Sequence, residues 1–207
     1  MKQAIRLNAV GIAHLQAGNE QKACDCFKRA LRIVSNLCRE ESKGIALPIS
    51  SSHNNEGIHI HKTRPITWVC TSAREQRFIT PFLIDSGDQD DSYETGSFYS
   101  SVIIFNYALL LQQKNGGGDE ISLHRASLLY KHSLELLGAI SESFDREEVD
   151  ELAECALHNL ADTYYKLGDY HNFRATLDSV LILNVKTKLT TENPKAPPNQ
   201  VPTAPAA

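Results

Sequence analysis

Apolar and small residues recur at helical spacing near the start of the chain. Leu7, Gly11 and His14 share one side of a helix, because side chains three and four positions apart lie on the same face. Gly18 and Asn19 interrupt this pattern, and these residue types commonly end helices. A second helical face follows, formed by Ala23, Phe27, Ala30 and Leu31. The pattern predicts two helices joined by a short turn.

The same pattern returns near the end of the chain with the same spacing. Ala161 closes a first helical face, Gly168 marks the break, and Phe173 opens a second face. The step from Gly11 to Ala23 is twelve positions, and so is the step from Ala161 to Phe173. Equal spacing of these positions and of the breaks predicts a second copy of the same helix pair.

A third, looser copy lies in the middle of the chain. Its small residues are Ala108 and Ala126, which are eighteen positions apart. The six extra residues are the glycine-rich run 114–119. A phosphate-binding loop would need a preceding strand and a Lys-Ser or Lys-Thr pair directly after the glycines, and the sequence has neither. The run therefore predicts a flexible loop between two helices.

The size pattern of these three copies resembles the tetratricopeptide repeat, whose two antiparallel helices carry a small residue followed one turn later by a larger one. Two departures from the family pattern are Leu7, where tryptophan is common, and Phe173, where a small residue is usual. The matching small residues are Gly11, Ala108 and Ala161, and the matching larger ones are His14, Leu111 and Tyr164.

The resemblance implies an all-α fold in which three helix–turn–helix pairs stack as a short solenoid, with a large, partly β-stranded insertion between pairs one and two. The predicted units are the first pair (1–42), the insertion (43–96), the second pair (97–140), the third pair (141–190) and a disordered tail rich in proline and alanine (191–207). Within them we expect helices near 2–17, 20–40, 97–114, 120–139, 146–167 and 170–186.

The insertion has a different residue pattern from the rest of the chain. Alternating apolar residues at 58–61 and β-branched or aromatic residues at 66–71 and 78–80 predict two or three short strands. An isolated hairpin could not bury so many apolar side chains, so we expect the insertion to dock on the helices. The simplest positions are across the concave groove that the solenoid would form, or along the first two pairs. The final helix also has surplus apolar residues, which suggest an interface for a partner or a second copy: Leu181, Ile182, Leu183 and Val185.

Charge and cysteine usage narrow the class of protein. The net charge of −4 and the pI near 6.1 argue against a nucleic-acid partner, which usually requires a basic surface. The five cysteines are scattered and odd in number, which favours a reducing, cytoplasmic location. No apolar run approaches the length of a membrane span, so no membrane association is expected.

Candidate chemical sites are few. His59 and His61 alternate on a predicted strand and could reach one zinc ion, with His53 as a third ligand. Cys24 and Cys26 point to nearly opposite sides of a helix and could not share a metal. No nucleophile motif accompanies the histidines. We therefore expect no enzyme activity, metal or cofactor, and keep an enzyme or metal-dependent accessory protein with its site in the insertion as the alternative.

The resemblance also implies where a partner binds, because the first helix of each pair lines a concave groove. A protein or peptide partner is then expected there, and the apolar residues favour an apolar or amphipathic one. Asn106 and Asn159 could bind a peptide backbone through both amide atoms or bond instead to neighbouring helices. The predicted groove residues are Asn8, Ile12, Phe105, Asn106, Leu109, Gln113, His158, Asn159, Asp162, Tyr165 and Lys166.

Overall fold

The computed structural model of the chain describes residues 1–42, 60–62, 80–84, 93–114, 119–140 and 146–192. These residues are mostly helical, as the all-α prediction requires. Two short strands are present among them, β1 (Ile60–Lys62) and β2 (Phe82–Ile84). The helices are α1 (Lys2–Gln16), α2 (Glu20–Ser42), α3 (Tyr93–Gln113), α4 (Glu120–Gly138), α5 (Arg146–Lys166) and α6 (Tyr170–Glu192).

Sequence neighbours pack together as three helix pairs, α1 with α2, α3 with α4 and α5 with α6. Adjacent pairs are joined by α2 against α3 and by α4 against α5. Two helix limits differ from the expected ones by more than two residues. Helix α3 begins at Tyr93, four residues before position 97, because Gly96 is accommodated within the helix. Helix α6 reaches Glu192, beyond the expected end at 186.

The turns of the first and third pairs have the same geometry. Gly18 and Gly168 adopt left-handed backbone conformations, with φ of 76° and 73°, which glycine tolerates without steric cost. The Gly18 amide donates to the Leu15 carbonyl over 3.0 Å, and the Gly168 amide donates to the Tyr165 carbonyl over 3.1 Å. The equal spacing seen in the sequence therefore corresponds to equal turns.

The helix crossings explain the small residues of the pattern. A Cβ atom added at Gly11 would lie 2.7 Å from Cε1 of Phe27, so only glycine allows α1 and α2 to approach this closely. In the second pair, the hydroxyl oxygens of Ser101 and Ser133 lie 2.8 Å apart and both residues are fully buried. Each hydroxyl also donates to the other residue's carbonyl oxygen, so the polar groups at this crossing are satisfied.

Helix α3 lies at the centre of the described part of the chain. It contacts α1, α2, α4, α5 and β2, and every residue from 95 to 106 is buried. A helix that is apolar on all sides is typical of such a position. Its aromatic contacts run from Phe82 to Phe105, with ring centroids 5.3 Å apart, and from Phe105 to Tyr130, with centroids 5.7 Å apart. The hydrophobic core is therefore continuous from the first pair to the third.

The strands correct part of the sequence prediction. β1 overlaps the strand expected at 58–61, and it pairs antiparallel with β2 so that His61 lies opposite Leu83. Of the strand expected at 78–80, residue 80 alone is described, and it lies outside a strand; the described strand is at 82–84. Pro81 has no amide hydrogen to donate, and regular pairing begins only at the next residue. The strand expected at 66–71 and residues 193–207 of the expected tail lie outside the described residues, whereas residues 191 and 192 belong to α6. The domain boundaries stay predictions.

Helix α6 presents apolar side chains to solvent, as the sequence predicts. Ile182 is 70% exposed, and Leu181 and Val185 are also more than half exposed. Searching the described residues for a helix long and apolar enough to cross a membrane finds none.

Candidate peptide-binding groove

The first helices of the three pairs are neighbours, since α1 contacts α3 and α3 contacts α5. We call the set of predicted groove residues on these helices the groove face. Its α1 and α3 part differs from its α5 part in burial. The α1 and α3 residues Asn8, Ile12, Phe105, Asn106 and Leu109 are buried, whereas Gln113 is half-buried.

Segment 80–84 covers this buried part of the groove face. The side-chain oxygen of Asn106 accepts the backbone amide of Phe82 over 2.9 Å. Its side-chain nitrogen donates to the Phe82 carbonyl over 2.8 Å and to the Asn8 side-chain oxygen over 3.0 Å. Asn8 in turn donates to the same Phe82 carbonyl over 3.3 Å. Asn8 and Asn106 therefore form an amide clamp that binds both main-chain polar groups of one extended residue.

Strand β2 pairs with β1 and also contacts α1 and α3. In the antiparallel pair, Phe82 lies opposite Lys62, Leu83 opposite His61 and Ile84 opposite Ile60. Strand β2 is thus held between a strand and a helix face.

One side chain of segment 80–84, Phe82, packs against an aromatic residue of the groove face. Phe82 is fully buried, and its ring meets Phe105 edge-on with centroids 5.3 Å apart. Ile84 is also buried, whereas the intervening Leu83 is only partly covered. This alternation follows from strand geometry, in which neighbouring side chains point to opposite faces.

A second polar cluster lies where the second and third pairs meet. The Tyr130 hydroxyl donates to the side-chain oxygen of Gln112 over 2.6 Å, and the Gln112 amide donates to Asp162 over 2.7 Å. Burial, and then the nearby Asp162 carboxylate, raise the pKa of Tyr130 well above its usual value, whereas a hydrogen bond with the Asn159 side chain opposes this shift. The hydroxyl therefore stays protonated at neutral pH and can act as the donor. Asn159 is engaged with a neighbouring helix.

The remaining α5 residues form the open part of the groove face. Tyr165 is 58% exposed, and its ring lies 6.1 Å from Tyr170 and 5.7 Å from Phe173, measured between centroids. The Lys166 amine lies 2.7 Å from a carboxylate oxygen of Asp162. His158 is half-buried on the same helix. This part of the groove face is polar, aromatic and accessible.

The candidate metal and thiol groups are not assembled in the described residues. His53 and His59 lie outside them, and the side chain of His61 is not among those described. Among the described residues, no three His, Cys, Asp or Glu side chains lie close enough together to hold a metal ion. Cys24 donates a weak hydrogen bond to the Tyr107 hydroxyl, with sulfur and oxygen 3.7 Å apart, whereas burial raises the pKa of the Cys26 thiol.

Sequence reasoning proposed the clamp chemistry of Asn106 but not its ligand or the contribution of Tyr130. The clamp joins Asn8 to a residue 98 positions away, and no local spacing reveals such a contact. A usable signal was present in segment 80–84, where apolar residues two positions apart, Phe82 and Ile84, follow a proline.

The comparison with protein families matches residues 156–183, within the third helix pair, to a tetratricopeptide repeat model. This part of the chain is similar to that repeat. This match confirms the resemblance where the spacing was closest to the family pattern, and such repeats generally mediate protein–protein interaction. Searches among curated proteins and among solved structures gave no match.

Proposed function

We propose that the chain is a protein-interaction scaffold that binds an extended peptide of a partner on the groove face of a short solenoid. The observation that carries this proposal is the amide clamp, because Asn106 binds the amide and the carbonyl of Phe82 together. Recognition through main-chain groups does not depend on the side chain of the bound residue. The repeat at 156–183 supports the same function.

The open α5 part of the groove face is the place where a partner can bind without displacing any described residue. Tyr165 offers an exposed aromatic ring, and tyrosine is enriched among residues that dominate binding energy. Asp162 and Lys166 offer one charge of each sign, so a partner of mixed charge suits the surface better than an acidic tail. Gln113 and His158 extend the same surface with polar side chains.

The rest of the proposal concerns the setting of this interaction. We propose a non-enzymatic role without a cofactor, a cytoplasmic location consistent with the free thiols of Cys24 and Cys26, and no nucleic-acid or membrane partner. The exposed apolar residues of α6 support a second interface there, through which two copies could form a homodimer. A dimer would bury Ile182, which is otherwise largely exposed.

Selection of peptides from a random displayed library against the intact chain tests the peptide-binding role. We expect enriched peptides to bind about tenfold more weakly to a Tyr165→Ala variant, which corresponds to about 1.4 kcal/mol. The matched control is Leu128→Ala, which removes a similarly exposed apolar side chain from α4, the second helix of its pair. Failure to enrich any peptide, or an equal loss in both variants, would contradict the proposal.

A further inference from the structure

Segment 80–84 contacts the groove face in the way that a bound peptide would. It is extended, its main chain is bound by the amide clamp, and its buried side chains, Phe82 and Ile84, are two positions apart. Peptides that add a strand to a binding surface use this same division, in which main-chain hydrogen bonds give affinity and alternate side chains give specificity.

We propose that segment 80–84 is an internal ligand that closes the α1 and α3 part of the groove face, and that the partner which replaces it is an extended peptide with an aromatic residue followed two positions later by an aliphatic one. This inference rests on the proposed peptide-binding function and names the class of peptide. It adds that the chain competes with its own partner.

The surface beneath the segment determines this peptide class. The Phe82 ring contacts Phe105, and the polar side chains that bind the main chain of Phe82 are the uncharged amides of the clamp. Ile12 and Leu109 are also buried on the groove face. A charged side chain at the Phe82 position would lose its hydration without gaining an opposite charge among these groups. An aromatic ring at that position meets Phe105 edge-on, which is a favoured arrangement.

Exchange of the segment requires a competing strand to replace the pairing of β2 with β1. An isolated pair of strands is marginally stable, so this pairing is a small barrier to exchange. Attachment to the same chain nevertheless gives the segment an effective concentration of about millimolar. A free peptide therefore binds the intact chain weakly, and binds much more strongly once the internal ligand is weakened.

The test uses the full chain and a fluorescein-labelled peptide with the sequence of residues 78–86, whose binding is followed by fluorescence anisotropy. Phe82→Ala in the protein weakens the internal ligand, and we expect it to bind the peptide at least about tenfold more tightly than the parent. Leu83→Ala is the matched control, because it shortens the neighbouring side chain on the opposite face, and it should bind like the parent. Adding Asn106→Ala to Phe82→Ala should abolish the gain.

Equal binding by the parent and a folded Phe82→Ala variant would overturn the inference. The peptides selected on the intact chain separate the two proposals, because their binding to Tyr165 would persist if only the internal-ligand inference fails. A dimer of the parent that is lost in Phe82→Ala would assign the exchange to a second copy and also overturn the proposed partner.

A further measurement remains decisive if Phe82→Ala does not fold. Hydrogen–deuterium exchange of the parent is compared with and without a large excess of the unlabelled peptide. The inference predicts faster exchange at the amides of residues 82–84, because displacement exposes them to water. Unchanged exchange at saturating peptide would show that the segment is a fixed part of the core.

Discussion

The second and third helix pairs place an asparagine at the same position of the groove face but use it differently. Asn106 and Asn159 each lie two residues before the small alanine of their first helix. Asn106 binds the main chain of Phe82, whereas the Asn159 side chain is a hydrogen-bonding partner of Tyr130. The same residue in the same repeat position therefore binds an extended segment in one pair and a neighbouring helix in the other.

The neighbouring positions account for this difference. One residue after the alanine, the second pair has Leu109 and the third pair has Asp162; five residues after it, they have Gln113 and Lys166. The surface beside Asn106 is apolar, and removing it from water under segment 80–84 stabilises the folded protein. Charged side chains beside Asn159 are better solvated when they remain exposed. The side chains around each asparagine thus distinguish the two sites.

Leucine substitutions at the helix crossings should produce the largest loss of stability. One variant in the first pair and one in the third allow the two pairs to be compared. Gly11→Leu introduces a side chain where even a Cβ atom would lie 2.7 Å from the Phe27 ring, and we expect it to lower the free energy of unfolding by about 3 kcal/mol or more. Ala161→Leu starts from a position that already holds a Cβ atom, and should cost about 1–2 kcal/mol. Urea unfolding of each variant measures both values.

The matched control for these variants is Gly138→Ala in α4. A Cβ atom at Gly138, the last residue of α4, meets no atom within 4 Å, so replacing this glycine by alanine should not lower the free energy of unfolding. If Gly11→Leu unfolds at the same urea concentration as the parent, Gly11 does not lie at a tight crossing. The repeat assignment of the first pair would then be wrong.

Substituting the two asparagines gives an intermediate effect that tests the comparison directly. Asn106→Ala removes three hydrogen bonds from a fully buried site, so we expect a loss of about 1–3 kcal/mol together with faster hydrogen exchange at the Phe82 amide. Asn159→Ala should leave that exchange rate unchanged, because Asn159 does not contact the segment through any bond described above. Equal acceleration in both variants would show that the two halves of the groove face are not independent.

Local patterns predicted the helices well and the site only in part. Gly18, Gly168 and the residues around them determine their turns through nearby hydrogen bonds, so spacing alone located both breaks. The contact between Asn8, Phe82 and Asn106 depends on how distant parts of the chain pack, and a single sequence has no period that reports it. The position of β2 was missed for a related reason, because its hydrogen bonds are made to an α3 side chain as well as to another strand.

Acid should produce the smallest effect on stability, through a carboxylate at the turn of the third pair. The geometry of this turn matches that of the turn in the first pair. Asp169 follows Gly168 and accepts the side-chain amide of Asn172 over 2.6 Å and its backbone amide over 3.2 Å. These hydrogen bonds lower the pKa of Asp169 below its usual value of 3.8. A carboxylate whose pKa is lower in the folded state stabilises the protein above the unfolded pKa, and this contribution is lost as pH falls through the folded pKa.

The first pair has Asn19 at the corresponding position, so Asp169→Asn gives the turn of the third pair an uncharged residue that still caps helices well. We expect little change in Tm at neutral pH and a shallower fall in Tm on acidification, measured by circular dichroism. An acid transition as steep as that of the parent would mean that the bonds to Asn172 do not persist in solution.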